Sequence, residues 1–404
     1  VGLVVQKYGG TSVGDVEKIK KVAERIARTK AEGNNVIVVV SAMGKMTDEL
    51  VDLANQITDS PDEREFDMLL STGEQISVAL LAMALHEKGH EAISFTGGQV
   101  GIRTDGWHTK ARIVSIDTSR VQKELDAGKI AIVCGFQGIG EGDAITTLGR
   151  GGSDTSAVAL ATAFKADLCE ICTDVEGVYT ADPRIVPDAR KLSRISYDEL
   201  LELASMGARV MHIRAVEFGK KNGVPMRICS TFSDDPGTLV TEEVASMENV
   251  VVSGISLNES EAKITLVGVP DKPGVAAQVF ETIAEENVVV DMIIQNVSER
   301  GLSDISFTVP EDELKRAVAV GERLVEDLGA KEVRAVEKVA KVSAVGVGMR
   351  SHSGVAAKMF KALAEAGINI EMISTSEIKI SCVVSSDRGQ DALRVLHSAF
   401  ELEK

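Results

Sequence analysis

Short continuous apolar runs alternate with amphipathic stretches through the first 240 residues. Leu3-Val4-Val5 leads to the glycine pair Gly9-Gly10. From Asp15 to Lys30, residues Val16, Ile19, Val22, Ala23, Ile26 and Ala27 keep the spacing of one helix face. Val36-Ile37-Val38-Val39-Val40 is an unbroken β-branched run, the pattern of a strand covered on both faces. Ile130 to Val133 and Leu168 to Thr173 repeat that pattern, and helical stretches fall at Ile76 to Leu85 and Ser156 to Phe164. This alternation predicts a mostly parallel sheet with helices on both sides, whose ligands bind in the loops after the strands.

The rhythm changes after Pro236-Gly237 and Glu242-Glu243, where an internal repeat begins. Gly274 to Ile293 and Gly354 to Ile373 align without a gap at an offset of 80 residues, with nine of twenty positions identical. Each copy reads strand (264–269; 342–347), glycine turn, helix, strand, third strand (304–309; 378–384) and second helix, which predicts two α+β modules. The expected boundaries are 1–245 for the α/β domain, 262–337 for the first module and 338–404 for the second. The apolar run Val250 to Ile255 is a strand expected to pair with the last module, so that 249–257 completes it.

Length and composition narrow the function. A chain of 404 residues needs two or three cores, and with 44% hydrophobic but 3% aromatic residues these are built from aliphatic side chains. A net charge of −17 argues against nucleic acid or an anionic membrane as the main partner. Backbone amides and a few local cations still suffice for a phosphate ligand. The cysteines, Cys134, Cys169, Cys172, Cys229 and Cys382, are odd in number and widely spaced, unlike a disulfide framework. Cys169 and Cys172 form a C-x-x-C, but on a strand their side chains face opposite ways, and no second ligand pair for zinc lies nearby. No apolar stretch approaches the ~20 residues that span a bilayer, and no leader pattern precedes the first strand, so a cytoplasmic setting is expected.

Five segments carry candidate chemistry. Lys7-Tyr8-Gly9-Gly10-Thr11-Ser12 joins a strand to a helix, where glycines let backbone N–H groups approach a phosphate and Lys7 adds charge. It lacks the Walker A and G-x-G-x-x-G spacings, and alone it reads equally as a tight turn with a surface lysine. Ser41-Ala42-Met43-Gly44-Lys45-Met46-Thr47 also leaves a buried strand; it is either a polar pocket wall or a loop with a helix cap at Thr47. Ser71-Thr72-Gly73-Glu74 opens a helix, and a glutamate there is favoured without any function. Gly149-Arg150-Gly151-Gly152-Ser153-Asp154 holds an arginine between glycines at a helix start, suited to bidentate pairing with a carboxylate or phosphate; Ser153 or Asp154 alone would be a cap. Thr173-Asp174-Val175-Glu176-Gly177-Val178-Tyr179-Thr180-Ala181-Asp182-Pro183-Arg184 is an irregular segment that is either a surface loop or a cover for a nucleotide.

Together and in this order, these segments resemble the signature set of aspartate kinases within the amino acid kinase family, and the repeats resemble paired ACT domains. The resemblance covers essentially the whole chain. It implies a three-layer αβα kinase domain with a mostly parallel sheet, followed by two ferredoxin-like ACT domains. The implied reaction moves the ATP γ-phosphoryl group to the side-chain carboxylate of L-aspartate, with Mg²⁺ as companion of the nucleotide and protein ligands unspecified. It is the first step toward lysine, threonine and methionine. The alternatives are another amino acid kinase, acting on glutamate, N-acetylglutamate, carbamate or a nucleotide, or a non-catalytic amino-acid sensor.

The resemblance also distributes roles. Lys7 and Asp154 are catalytic; Lys7, Tyr8, Gly9, Gly10, Thr173, Asp174, Tyr179, Asp182 and Arg184 bind ATP. Ser41, Thr47, Glu74, Arg150, Gly151, Gly152, Ser153 and Asp154 bind aspartate. An effector site, expected to take lysine and/or threonine, draws on Asp271, Gly274, Val275, Ala276, Met292 and Gln295 from the first module. Asn369, Ile370, Ser376 and Glu377 join from the second. Arg209 stands where the family often has lysine near the nucleotide, and Arg and Lys differ in geometry. A homo-oligomer through the ACT domains is expected. Met247 is a possible internal start for a separate regulatory subunit.

Overall fold

The computed structural model describes residues 2–205, 211–242, 251–297 and 301–404. Arg209 and Met247 lie outside the described residues. Two compact units are present: residues 1–178, 191–204 and 209–245 form the first, and 179–190, 205–208 and 246–404 the second.

The first unit runs β1 (Leu3–Tyr8), α1 (Val16–Ala31), β2 (Asn35–Val40), α2 (Met46–Ile57), α3 (Glu63–Leu70), α4 (Thr72–Glu87), β3 (Ala92–Phe95), β4 (Ile102–Thr104), β5 (Ile113–Ile116), α5 (Ser119–Asp126), β6 (Ile130–Cys134), β7 (Gln137–Ile139), β8 (Ile145–Thr147), α6 (Gly152–Ala163), β9 (Leu168–Thr173), β10 (Arg194–Ser196), α7 (Tyr197–Ser205), α8 (Ile213–Asn222), β11 (Met226–Ser230) and β12 (Thr238–Thr241). Its main sheet has the order β10-β12-β11-β9-β1-β2-β6-β3. All neighbours are parallel except β11 and β12. A smaller sheet, β5-β4-β7-β8, carries the connections around β6.

The β-branched runs occupy the middle of the main sheet because both faces there are covered. Val36 to Val40 and Ile130 to Cys134 are completely buried. Helix α1 buries Ile19, Val22, Ala23 and Ile26 but leaves Val16 exposed at its first turn, where Asp15 caps the helix through the Lys18 N–H. Helices α3 and α4 together give a stretch, Glu63–Glu87, long and apolar enough to cross a membrane by length and composition. That differs from the sequence expectation. Its Val78, Leu81 and Leu85 pack against α1 residues in the core, so the apolar character serves helix-to-sheet packing.

The second unit contains β13 (Gly254–Pro270), α9 (Val275–Glu285), β14 (Ile293–Val297), β15 (Leu302–Pro310), α10 (Leu314–Leu328), β16 (Glu332–Val345), α11 (Val355–Glu365), β17 (Met372–Thr375), β18 (Lys379–Ser385) and α12 (Gly389–Ala399). One antiparallel sheet, β14-β15-β13-β16-β18-β17, holds both repeats. The expected separate strands at 250–255 and 264–269 are a single strand that starts at Gly254. Its first part, Gly254 to Asn258, pairs with Val345 to Lys341, and its later part pairs with both β16 and β15. The second strand of each repeat begins at Ile293 and at Met372. Two cores result, one under α9 and α10 and one under α11 and α12.

Candidate active site

The candidate segments lie at the carboxyl ends of β1, β2 and β9 and at the first turns of α4 and α6. Lys7 is the next-to-last residue of β1, and Asp154 sits in the first turn of α6. The Lys7 ammonium nitrogen lies 2.6 Å from Asp154 Oδ1, with both side chains nearly buried. The ion pair is off the line of a good hydrogen bond. Asp154 Oδ2 accepts the His212 backbone N–H at 3.4 Å. Neither Asp154 nor Ser153 is the helix cap: the cap is Gly151, without a side-chain bond. Asp154 is held instead by a cation from another element.

The glycine turn after β1 does not enter a helix directly. A short 3-10 turn, Gly10–Val13, intervenes before α1. The Gly10 carbonyl accepts the Gly44 N–H at 3.0 Å, and the Tyr8 carbonyl accepts the Ser41 N–H at 3.0 Å. A Cβ on Gly10 would stand 2.8 Å from the Ala42 carbonyl oxygen, so only glycine lets these two loops touch. Ser41 and Thr47 are half-buried. Thr47 is not a cap; α2 begins at Met46, and Lys45 precedes it without a side-chain bond.

Glu74 joins the same loops from α4. Its Oε1 accepts the Ala42 N–H at 3.1 Å, while Oε2 is buried with no partner among the described residues. Burial pushes the carboxyl from an ordinary value near 4.5 up to about 7, although hydrogen bonds from the backbone N–H groups of Glu74 and Ala42 pull the other way. At neutral pH the group is therefore poised between its acid and its carboxylate.

Arg150 is exposed between Gly149 and Gly151, which both adopt positive φ. Gly151 has φ 69°, and a Cβ there would fall 2.2 Å from the His212 side chain. Two features of this loop were not legible in the sequence. Arg214 donates to the carbonyls of Leu148 at 2.8 Å and Ala111 at 2.6 Å, clamping the approach to the glycines. Asp67, fully buried on α3, accepts from His108 Nδ1 at 2.7 Å and from the Thr147 hydroxyl at 2.5 Å. The one available signal was an aspartate amid the apolar face of EREFDMLL.

On the β9 side, the Thr173 carbonyl accepts the Thr231 N–H at 2.8 Å, and the Thr231 hydroxyl meets that of Ser12 at 2.6 Å. Thr173 Oγ1 also donates to Asp174 Oδ1 at 3.2 Å. Thr231 had no motif to mark it. Tyr179, Asp182 and Arg184 belong to the segment 179–190 of the second unit. There Asp182 and Arg184 pair with each other at 2.6 Å, and Thr180 Oγ1 meets His397 Nε2 at 2.9 Å. Two cavities of the first unit, about 330 and about 230 Å³, are lined by other residues, such as Arg103 and Arg120 in the first and Arg25 and Cys229 in the second. The catalytic reading rests on the side-chain geometry above. Among the described residues, no three His, Cys, Asp or Glu side chains are grouped to hold a metal ion.

In the second unit, Gly274 caps α9 with φ 93° and no side-chain bond, and the Val275 N–H donates to the Lys272 carbonyl in the turn carrying Asp271 at 3.3 Å. Val275 and Ala276 are half-buried, and Gln295 on β14 donates to Ser303 Oγ at 3.2 Å. Met292 is 4% exposed and packs with Val339, Met372 and Val383, so its side chain is a core group. Asn369 and Ser376 are exposed and Ile370 is half-buried; Glu377 pairs with Arg350 at 3.1 Å.

The amino acid kinase family model matches residues 2–230. The chain belongs to that family. An ACT domain model matches twice, at 264–322 and 342–400. An aspartate kinase of Pseudomonas putida is 52% identical over 404 residues, covering 100% of this chain and 98% of that one. Aspartokinase III of E. coli in complex with aspartate and ADP, an R-state structure, superposes with a TM-score of 0.82 at 25% identity, covering 98% of this chain and 99% of that one. The same E. coli enzyme with lysine and aspartate, a T-state structure, gives a TM-score of 0.76 at 26% identity and the same coverage. The two repeats are thus a pair of ACT domains.

Proposed function

We propose that this chain transfers the γ-phosphoryl group of ATP to the side-chain carboxylate of L-aspartate, giving 4-phospho-L-aspartate and ADP. The observation that carries the reading is the ion pair of Lys7 with Asp154 at the carboxyl end of β1, in a chain that aligns end to end with aspartate kinases. The acceptor carboxylate has an ordinary pKa near 3.9 and is already a nucleophile at neutral pH, so no general base is required. Catalysis then consists of positioning and of stabilising charge on the transferring group. Lys7 supplies the cation, and Asp154 holds its ammonium at the end of β1 until the phosphates arrive. The N–H groups of Gly9 and Gly10 offer further donors. Arg150, exposed on its loop, takes the α-carboxylate of aspartate; Glu74, through Oε2, and Ser153 orient the α-ammonium. Ser41 and Thr47 complete that side of the pocket, and Thr173 and Asp174 face the nucleotide. Mg²⁺, held by the nucleotide phosphates, would neutralise part of their charge, and among the described residues no cluster of three His, Cys, Asp or Glu side chains is grouped to bind it.

The same reading divides the chain into a kinase domain, 1–245, and two ACT domains, 262–337 and 338–404, the second completed by 249–257. The pairing of Gly254 to Asn258 with β16 supports that completion. The turn Asp271 to Ala276, at the N-terminus of α9, is the proposed receptor for an effector carboxylate, lysine or threonine. Homo-oligomerisation through these modules is part of the proposal.

The test is ATP turnover with a panel of acceptors: aspartate, glutamate, N-acetylglutamate, carbamate and a nucleoside monophosphate. Turnover with aspartate is expected. Preference for another acceptor would replace the substrate, and failure with all of them would leave a sensor without catalysis.

A further inference from the structure

Strands β9 and β11 run parallel and place Cys172 directly opposite Cys229. Parallel neighbours are about 4.8 Å apart, inside the window that a disulfide spans. The two sulfurs are 3.8 Å apart, and both residues are free thiols. All five cysteines are buried, and among the described residues Cys134, Cys169 and Cys382 have no such neighbour. The C-x-x-C of the sequence is thus not the pair: Cys169 lies on the other face of β9, and the partner of Cys172 comes from another strand.

The surroundings of the pair are asymmetric. Arg25 of α1 donates from Nη2 to Cys229 Sγ at 3.2 Å, while Nη1 donates to the Ser230 carbonyl at 2.6 Å. With Arg25 already donating to Cys229, the thiol of Cys172 keeps its proton and donates as well. The bond from Cys172, with the guanidinium behind it, pulls the Cys229 thiol below its ordinary range; the Cys172 thiol is pushed up by the same bond and by burial. Cys229 also lines a cavity of about 230 Å³, together with Arg25, Arg227, Glu170 and Ser233, large enough to admit a small oxidant.

We propose that Cys172 and Cys229 are a peroxide-sensitive thiol pair that closes to a disulfide in the folded protein. The Cys229 thiolate attacks hydrogen peroxide: an S–O bond forms, the O–O bond breaks, and the departing hydroxide takes a proton from solvent. Cys172 then attacks the sulfenic sulfur; the S–S bond forms, the S–O bond breaks, and the proton of Cys172 leaves with the hydroxide as water. Two thiols are oxidised, and one peroxide is reduced to two waters. The sulfurs must close from 3.8 Å to about 2.0 Å. That movement is felt one residue further on, where Thr173 holds Thr231 and Thr231 holds Ser12 in the loop of Lys7. Closure therefore slows phosphoryl transfer. This last step rests on the proposed function; the linkage itself does not.

The full-length protein is treated with hydrogen peroxide and digested without reduction, and the far-ultraviolet circular dichroism is followed in parallel. A peptide joining Cys172 to Cys229 is expected while the fold signal is intact, with a loss of turnover that dithiothreitol reverses. Cys172→Ser should accumulate a sulfenic acid at Cys229 that dimedone traps, and Cys229→Ser should form neither product. The proposal is overturned if the linked peptide is absent, if it forms only together with loss of the fold signal, or if Cys134, Cys169 or Cys382 reacts as fast. Linkage without any change in turnover would keep the thiol pair and refute its effect on the Lys7 loop.

Discussion

Lys7 and Asp154 meet at 2.6 Å although 147 positions separate them along the chain. Among the described residues neither has another ion pair, so each fixes the other at the mouth of the sheet. The charge on Lys7 acts where negative charge redistributes during transfer. Lys7→Ala is therefore expected to lower kcat by ~10²–10³-fold, as loss of one preorganised stabilising group does, with little change in the KM for aspartate. Steady-state kinetics on the folded variant checks this, and near-normal turnover would remove Lys7 from the catalytic role.

Arg150 has no side-chain partner among the described residues and sits on a loop clamped by Arg214. Arg150→Ala should raise the KM for aspartate strongly and leave that for ATP nearly unchanged. A defect confined to ATP would place this loop on the nucleotide.

Glu74 provides a pH test. Its folded value of about 7 is above its ordinary value near 4.5, so the folded state binds the proton more tightly than the unfolded chain does. Its stabilising contribution is complete below about pH 4.5 and is lost as the pH rises toward about 7 and beyond. The gap corresponds to roughly 3 kcal/mol, an order-of-magnitude figure. Glu74→Gln keeps an oxygen for the Ala42 N–H and removes the charge, so it should melt higher than the parent at pH 8, with the gain shrinking toward pH 5. If the Glu74 carboxylate holds the α-ammonium of aspartate, kcat/KM should also rise with pH through about 7 in the parent, and that limb should vanish in the variant. A flat parent profile would refute that role.

Gly151 carries both a positive φ and a contact with His212, which in turn donates to Asp154. Gly151→Ala should lower the melting temperature, since the left-handed conformation alone costs at least ~1 kcal/mol with a Cβ. It should also raise the KM for aspartate by displacing the Arg150 loop. Gly33→Ala is the control, with φ 91° but no atom within 4 Å of the added Cβ; it should melt lower without the KM change.

Ala276 sits half-buried in the first turn of α9, behind Gly274. A bulky replacement, Ala276→Phe, should leave basal activity intact and abolish inhibition by lysine plus threonine. Assays with each amino acid alone and with both decide it. Full inhibition of the variant would move the sensing site elsewhere, and a parent that ignores both amino acids would make these modules structural.

Local sequence alone determined much of this molecule. The β-branched runs at 36–40 and 130–134 became buried central strands because an unbroken apolar run is stable only with both faces covered. The repeat at an offset of 80 residues foretold two similar modules, and the glycines at 149 and 151 foretold an irregular loop. Tertiary structure alone decided what meets what. Asp154, in a position that reads as a helix cap, faces Lys7 because α6 crosses behind β1. Glu74, unremarkable at a helix start, is titratable near neutrality because the Ala42 loop buries it. The strands expected separately before and within the first repeat are one strand, β13, because both modules needed it as a ladder partner. Cys172 found Cys229 rather than Cys169. Periodicity and turn chemistry act over a few residues and are written locally. Ion pairs, thiol pairs and burial depend on sheet order and register, which are set by the packing of the whole unit.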